Sequence, residues 1–224
     1  MNNNNIKNTR DGHHLNSKYW QDYKNSLPMM SNFLFQVALG MVLGDATMYR
    51  VSREAIIKFE QGAIQKDFLF HVFKLFSEYC FMLVPGTRLH LRGVNIGQIK
   101  SYWFKTFSHP TFSVLWELLF VDGKKVILEG LILNHLTDVG LAYWIMCDGS
   151  LDGRIMILHT QGFTLEENNI ISNELNIKFG FNTKVVPHKH KYFVIQFSGK
   201  DANKLHEILK DNLIPSMMYK LPKK

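Results

Sequence analysis

Two short runs in this chain end in acids with no base beside them. The first is Ala38-Leu39-Gly40-Met41-Val42-Leu43-Gly44-Asp45-Ala46, and the second is Leu141-Ala142-Tyr143-Trp144-Ile145-Met146-Cys147-Asp148-Gly149. A helix that is apolar all round has to be buried, and small residues let two helix backbones approach closely. Packed side by side, the two helices would bring Asp45 and Asp148 to one edge of their interface. Two carboxylates there repel unless a cation sits between them, and hard divalent cations take oxygen ligands of this kind. The pattern therefore points to a divalent-metal site on a protein with two-fold pseudo-symmetry. An acid at a helix C-terminus also opposes the helix dipole, which argues against a purely structural role for both.

The elements that must position these acids read as a repeat. After a polar, Asn-rich opening, the expected division is an N-terminal extension over 1–32, a first repeat over 33–132 and a second over 133–224. In the first repeat a helix over Phe33–Gly44 precedes strands near Thr47–Ser52 and Glu54–Gln61, set by period-two alternation. A helical stripe over Lys66–Phe81 is broken by Pro85-Gly86. Strands near Thr87–Arg92 and Gly97–Phe107 and a helix over Pro110–Phe120 follow. In the second repeat the motif helix precedes strands near Arg154–Thr160, Thr183–Pro187 and Tyr192–Ser198. A helix over Leu165–Phe179 carries a capping box, Thr164 with Glu167, and Gly180 at its end. A last helix runs from Asp201 to Leu213. Three echoes support the duplication: Gln61-Gly62 with Gln161-Gly162, Phe107-Ser108 with Phe197-Ser198, and Lys125 with Lys220 after each closing helix.

The expected fold is α+β: tandem αββαββα units, two four-stranded antiparallel sheets and a central helix pair. One face of each sheet should be polar and solvated. The basic and polar residues assigned to it are Arg50, Lys58, Arg88, His90, Arg92, Gln98, Lys100 and Tyr102 in the first repeat. In the second they are Arg154, Lys184, His188, Tyr192 and Gln196. Strands of about nine residues span about 30 Å, roughly nine base steps of duplex. Two such sheets would form a saddle along DNA, with Arg, Lys and Gln suited to base edges. The net charge of +7 over 224 residues and a pI near 9.3 favour a polyanionic partner. No run is long enough to span a membrane, and the opening lacks the apolar core of a secretory signal. Cys80 and Cys147, both in apolar stretches, read as buried free thiols in a reducing compartment. His13-His14 and His188-x-His190 invite a zinc reading, but nothing completes a tetrahedral set at the usual spacing.

From Phe33 to Pro222 the chain resembles the single-chain LAGLIDADG homing endonucleases. Leu141–Gly149 is close to the family signature, while Ala38 and Ala46 depart from it in the first motif, which keeps its acid. The runs Thr160-Gln161-Gly162-Phe163-Thr164 and Leu213 to Pro222 are similar to mitochondrial intron-encoded members. The resemblance implies hydrolysis of both strands of a long asymmetric DNA site by a monomer with Mg²⁺, or Mn²⁺ in its place. Asp45 and Asp148 would hold the metal, with the carbonyls of Gly44 and Cys147 as further ligands. Lys125 and Lys220 would stabilise charge, and Gln61 and Gln161 would orient the attacking water. The resemblance also implies organellar, mitochondrial coding. The alternative on the same scaffold is an intron RNA maturase, and a regulator that binds DNA without cutting it is a third reading.

Overall fold

The computed structural model describes residues 13, 14, 16–189 and 191–224. The chain divides into two compact units. One holds the described residues up to Leu34 together with Ala46–Val114, and the other holds Phe35–Asp45 with Leu115–Lys224. The division cuts across the sequence repeat, because the first motif helix groups with the second half of the chain.

In the first unit, helix α1 (Lys18–Ser26) is capped by Ser17 and buries Trp20. The indole sits edge-on to Phe81 at 4.9 Å. The opening segment, expected as a polar extension, thus contributes a helix to the core. Motif helix α2 (Asn32–Leu43) leads into hairpin β1 (Thr47–Val51) and β2 (Glu54–Gly62). Helix α3 (Lys66–Phe76) ends in a single 3₁₀ turn, Ser77–Tyr79, earlier than its apolar stripe suggests, because the chain is extended by Cys80. Strands β3 (Gly86–Leu89) and β4 (Ile99–Lys105) complete an antiparallel sheet of order β1-β2-β4-β3. Phe59 stacks on Phe104 at 4.5 Å, and Phe73 and Phe76 of α3 close over the pair.

Helix α4 (Pro110–Leu119) leads into a minimal hairpin, β5 (Phe120–Val121) and β6 (Lys124–Lys125). Its turn residues Asp122 and Gly123 have φ of 50° and 75°, the mirror-image turn that Asp-Gly favours. Helix α5 (Leu131–His135) precedes motif helix α6 (Asp138–Asp148). The second sheet follows: β7 (Gly149–Asp152), β8 (Ile155–Leu158), α7 (Leu165–Phe179), β9 (Thr183–His188) and β10 (Tyr192–Phe197), with strand order β7-β8-β10-β9. Strand β7, the fourth strand the repeat requires and the one to which the sequence reading assigns no position, begins directly after Asp148. Both sheets share one topology, so the repeat αββαββα is present, with α1, β5-β6 and α5 as additions. Helix α8 (Ala202–Leu209) is shorter than expected, and a 3₁₀ turn over Pro215–Lys220 follows.

The capping box of α7 forms as the sequence indicates, with Gly180 left-handed at φ 63°. Further along α7, the buried Glu174 carboxylate accepts hydrogen bonds from the N–H groups of Gly130 (2.5 Å), Ile132 (2.8 Å) and Leu133 (2.9 Å). It satisfies the orphan donors at the start of α5. Glu174→Ala leaves these three N–H groups, that of Ile132 at a buried contact, without the carboxylate, and a loss of about 2–4 kcal/mol in urea unfolding is expected.

Candidate active site

The motif helices are buried on every side, over residues 36–43 of α2 and 140–147 of α6. They meet through glycine. A Cβ on Gly40 would lie 2.2 Å from the Gly140 carbonyl oxygen, and one on Gly140 would lie 2.7 Å from Gln36 Oε1. Buried Gln36 spans the entry to α6, donating to the His135 carbonyl (2.7 Å) and accepting from Thr137 N–H (2.8 Å). At the other end the helices converge again. Met41 Sδ and Cys147 Sγ are 3.5 Å apart, and a Cβ on Gly44 would reach Cys147 Cβ at 2.5 Å and Asp148 Oδ2 at 3.1 Å. Asp45, exposed, and Asp148, half-buried, therefore share one edge, as the sequence pattern implied.

Each helix end is closed by a lysine from elsewhere in the same unit. Lys125 Nζ of β6 donates to the carbonyls of Val42 (2.9 Å) and Leu43 (3.3 Å) and lies 3.5 Å from that of Gly44. Lys220 Nζ does the same for Ile145 (3.1 Å), Met146 (2.6 Å) and Cys147 (3.3 Å). These are the carbonyls a helix leaves without partners, and a cation at that end also complements the dipole. Burial pulls both lysines below the usual lysine range, while Asp148, Cys147 and Asp45 push them back up. Asp148 is pushed up to about 7, first by burial and then by the charge of Asp45, against the pull of Lys125 and Lys220. Burial also raises the Cys147 thiol, and Cys80 is likewise a buried free thiol.

This edge suits a hard cation. It offers two carboxylates that repel one another and the carbonyls of Gly44 and Cys147, each of which has a second lone pair besides the one facing its lysine. Among the described residues no group of three or more His, Cys, Asp or Glu side chains could hold a metal. Water and substrate oxygens would have to complete the shell, which is the habit of Mg²⁺ and not of structural zinc. His190 of the zinc reading lies outside the described residues.

The sheets sort the other expected residues. In the first, Phe59↔Phe104 and Gln61↔Tyr102 pair on the side facing α3, whereas Lys58↔Lys105, Glu60↔Trp103 and Arg88↔Ser101 pair on the open side. Lys58 and Arg88 are on the open face as expected. Gln61 is not: it is buried on the α3 side of its own unit. Arg50, two residues from buried Met48, is on the same side as Gln61, at the exposed hairpin end. Tyr102 is on that side too, edge-on to Phe70 of α3 at 5.6 Å. The alternation had placed Lys100 and Tyr102 outward, but aromatic residues stand at both parities of β4, and the partners on α3 decide the matter. Gln98 precedes β4, and a bulge at Arg88/Leu89 ends β3 before His90 and Arg92, whose loop turns on Gly93 and Gly97 at φ 84° and 81°. Arg88, His90, Arg92 and Lys100 nonetheless line one basic depression with Leu89 and Leu91.

In the second sheet the registers Tyr192↔His188 and Gln196↔Lys184 put all four expected residues on the open face. Arg154 instead sits in the β7–β8 turn and donates to Asn203 of α8 (3.1 Å), away from that face. Two open-face groups escaped the sequence reading. Glu60 binds Lys58 Nζ (2.5 Å), Ser101 Oγ (2.7 Å) and Arg88 Nε (3.2 Å). His159 joins Ser150 Oγ through Nε2 (2.8 Å) and Gln161 Nε2 through Nδ1 (3.1 Å). Burial, then His188 and Lys220, hold its imidazole below the usual histidine range. A polar residue at the end of a core strand, beside a glutamine, was the available signal.

Comparison with known proteins places this geometry. Residues 35–205 match the model of the LAGLIDADG DNA endonuclease family. A probable intron-encoded DNA endonuclease 3 of Mycosarcoma maydis is 60% identical over 134 residues, 57% of this chain and 98% of that protein. A probable intron-encoded endonuclease 1 of Wickerhamomyces canadensis is 33% identical over 216 residues, 92% of this chain and 91% of that protein. The solved structure of the homing endonuclease I-WcaI bound to its DNA recognition sequence superposes with a TM-score of 0.87 at 30% identity, covering 96% of both chains.

Proposed function

Because the chain belongs to the LAGLIDADG DNA endonuclease family, we propose that it is a homing endonuclease that cuts both strands of a specific DNA site. The observation that carries this reading is the pair Asp45 and Asp148 at one edge of two glycine-packed helices, each helix closed by a lysine on its terminal carbonyls.

Asp45 and Asp148 would hold Mg²⁺ or Mn²⁺, and the Gly44 and Cys147 carbonyls would be further oxygen ligands. When bound, the metal supplies Lewis acidity to the scissile phosphate and to the water that attacks it. The remaining work is done by the chain. Lys125 and Lys220 fix the helix ends and place positive charge where the pentavalent phosphate gains negative charge. Gln161, with one amide N–H bound to His159, has its carbonyl oxygen left to accept from the attacking water. Gln61, buried on the α3 side of its strand, does not share that role. Lys58, Arg88, His90, Arg92 and Lys100 in one unit, and Lys184, His188, Tyr192 and Gln196 in the other, contact the duplex. Phosphate contacts by such residues give affinity, and base-edge contacts give sequence preference. The protein acts as a monomer carrying both half-sites, and an organellar intron, mitochondrial in kind, is its coding context. This is consistent with the intron-encoded relatives.

The test is selection of a target from a randomised duplex library, followed by incubation of that duplex with protein in Mg²⁺ and in EDTA. Cleavage of both strands in Mg²⁺ and binding without cleavage in EDTA are expected. Tight binding to the intron's own RNA with no DNA cleavage in either condition would replace the nuclease reading with the maturase one.

A further inference from the structure

Strand register shows that the Gln-Gly echo of the two repeats is displaced by one residue. Thr47 and Ser150 both lie two residues beyond the motif acid, and they pair with Lys58 and Ile157. Counting onward from those partners, His159 corresponds to Glu60 and Gln161 to Gly62. The repeats are alike in their acids and lysines but unlike at this position. In the first, an acid gathers Lys58, Arg88 and Ser101, and glycine stands where a side chain could reach water. In the second, a histidine stands between a serine and a glutamine.

We propose that His159 is a positioning residue for the strand cut served by the second repeat, acting by holding Gln161 against the end of α6. This rests on the metal-site reading above. Three hydrogen bonds make the link. The His159 backbone N–H donates to the Asp148 carbonyl (2.9 Å), its Nε2 meets Ser150 Oγ (2.8 Å), and its Nδ1 meets Gln161 Nε2 (3.1 Å). With Gln161 donating, Nδ1 is the acceptor and Nε2–H the donor, so one neutral tautomer satisfies both neighbours. The imidazole is a rigid spacer. It fixes which end of the Gln161 amide is occupied, and so leaves Oε1 as the end that can accept from a water beside Asp148. An outer-shell partner of this kind changes activity by about 10- to 100-fold when removed. Because the first repeat has Glu60 and Gly62 at these places, the effect is confined to one strand.

The experiment is single-turnover cleavage, in Mg²⁺, of the library-selected duplex with its two strands separately labelled. His159→Ala and Gln161→Ala are expected to slow the same strand by about 10- to 100-fold and to leave the other near its wild-type rate. Duplex affinity in Ca²⁺ and the urea midpoint should stay unchanged. His159→Asn, whose amide can accept from Gln161 and donate to Ser150, should recover most of the lost rate. Should His159→Ala fail to fold, Ser150→Ala removes the far anchor alone and should slow that same strand. Equal slowing of both strands, slowing of different strands by the two alanine variants, or wild-type rates on both would overturn the proposal. If Asp148→Asn still cuts, the metal-site reading has failed. If Asp148→Asn is inert and His159→Ala is unimpaired, only the role of His159 has failed.

Discussion

Asp148→Asn should abolish cleavage and, at the same time, make the metal-free protein more stable. The catalytic loss follows from removing one of two carboxylates at the metal edge, and roughly 10²–10³-fold or more is expected for a group acting on transition-state charge. The gain in stability follows from electrostatics. An ordinary aspartate titrates near 3.8, whereas burial and Asp45 push Asp148 up to about 7. With the folded value raised, the native state binds more protons than the unfolded chain between these two pH values. Stability from this group is therefore highest at low pH, falls as pH rises towards 7, and stays low above it. The rise corresponds to on the order of 4 kcal/mol at neutral pH, which asparagine would not incur. Urea unfolding in EDTA at pH 5 and pH 8 should show a larger fall in stability for the wild type than for the variant. Mg²⁺ should raise the wild-type midpoint and leave the variant nearly unmoved. Duplex binding should persist, since one fewer negative charge cannot weaken attraction to phosphate. A variant less stable than wild type at pH 8, or one that cuts at the wild-type rate, would contradict this account.

The second large effect is expected at Gly40. In an exposed helix, Gly→Ala would stabilise by about 1 kcal/mol. Here the added methyl would sit 2.2 Å from the Gly140 carbonyl oxygen and 2.9 Å from Tyr143 Cβ. The first obstacle is backbone, which cannot rotate away. Gly40→Ala should therefore cost about 3 kcal/mol or more, at the upper end of overpacking, and cleavage should fall as the helix ends part. Gly140→Ala should cost less, because it meets the ends of Gln36 and Leu136 side chains, although Gln36 is itself held by two hydrogen bonds. Gly62→Ala, with nothing within 4 Å of the new methyl, should lie within about 0.5 kcal/mol of wild type. Thermal melts of the three variants test the ranking.

What could be read from sequence was whatever repeats at long range or follows one strong periodicity. The motif helices and their acids, the capping box at Thr164 and the open-face set of the second sheet all have such signals. Lys125 and Lys220 could be chosen by their place after the closing helix of each repeat. That they cap α2 and α6 could not, since the contact spans 81 residues in one case and 73 in the other. The first sheet misled because Tyr102 and Trp103 are adjacent aromatics, so alternation alone does not choose the side facing α3. Arg154 carried the right charge but fell in a turn, where Asn203 draws it aside. Gln61 shared a dipeptide with Gln161 while differing in strand position, a distinction visible only once backbone pairing sets the count. Glu60 sits in β2 among other charged and polar residues, where nothing local separates it from an ordinary surface position, and His159 is marked only by its place just after β8, two residues before Gln161.

The grouping of α2 with residues 115–224 bears on how the protein is made. During translation this predominantly apolar helix leaves the ribosome early, while Lys125 follows about 80 residues later, α6 about 100 and Lys220 later still. At about 5–20 residues per second, the nascent chain carries an unshielded apolar segment for several seconds. Chaperone occupancy during synthesis should therefore concentrate on residues 35–45. A ribosome stalled before α6 should hold that segment open to protease, and one stalled after the whole chain has emerged should protect it.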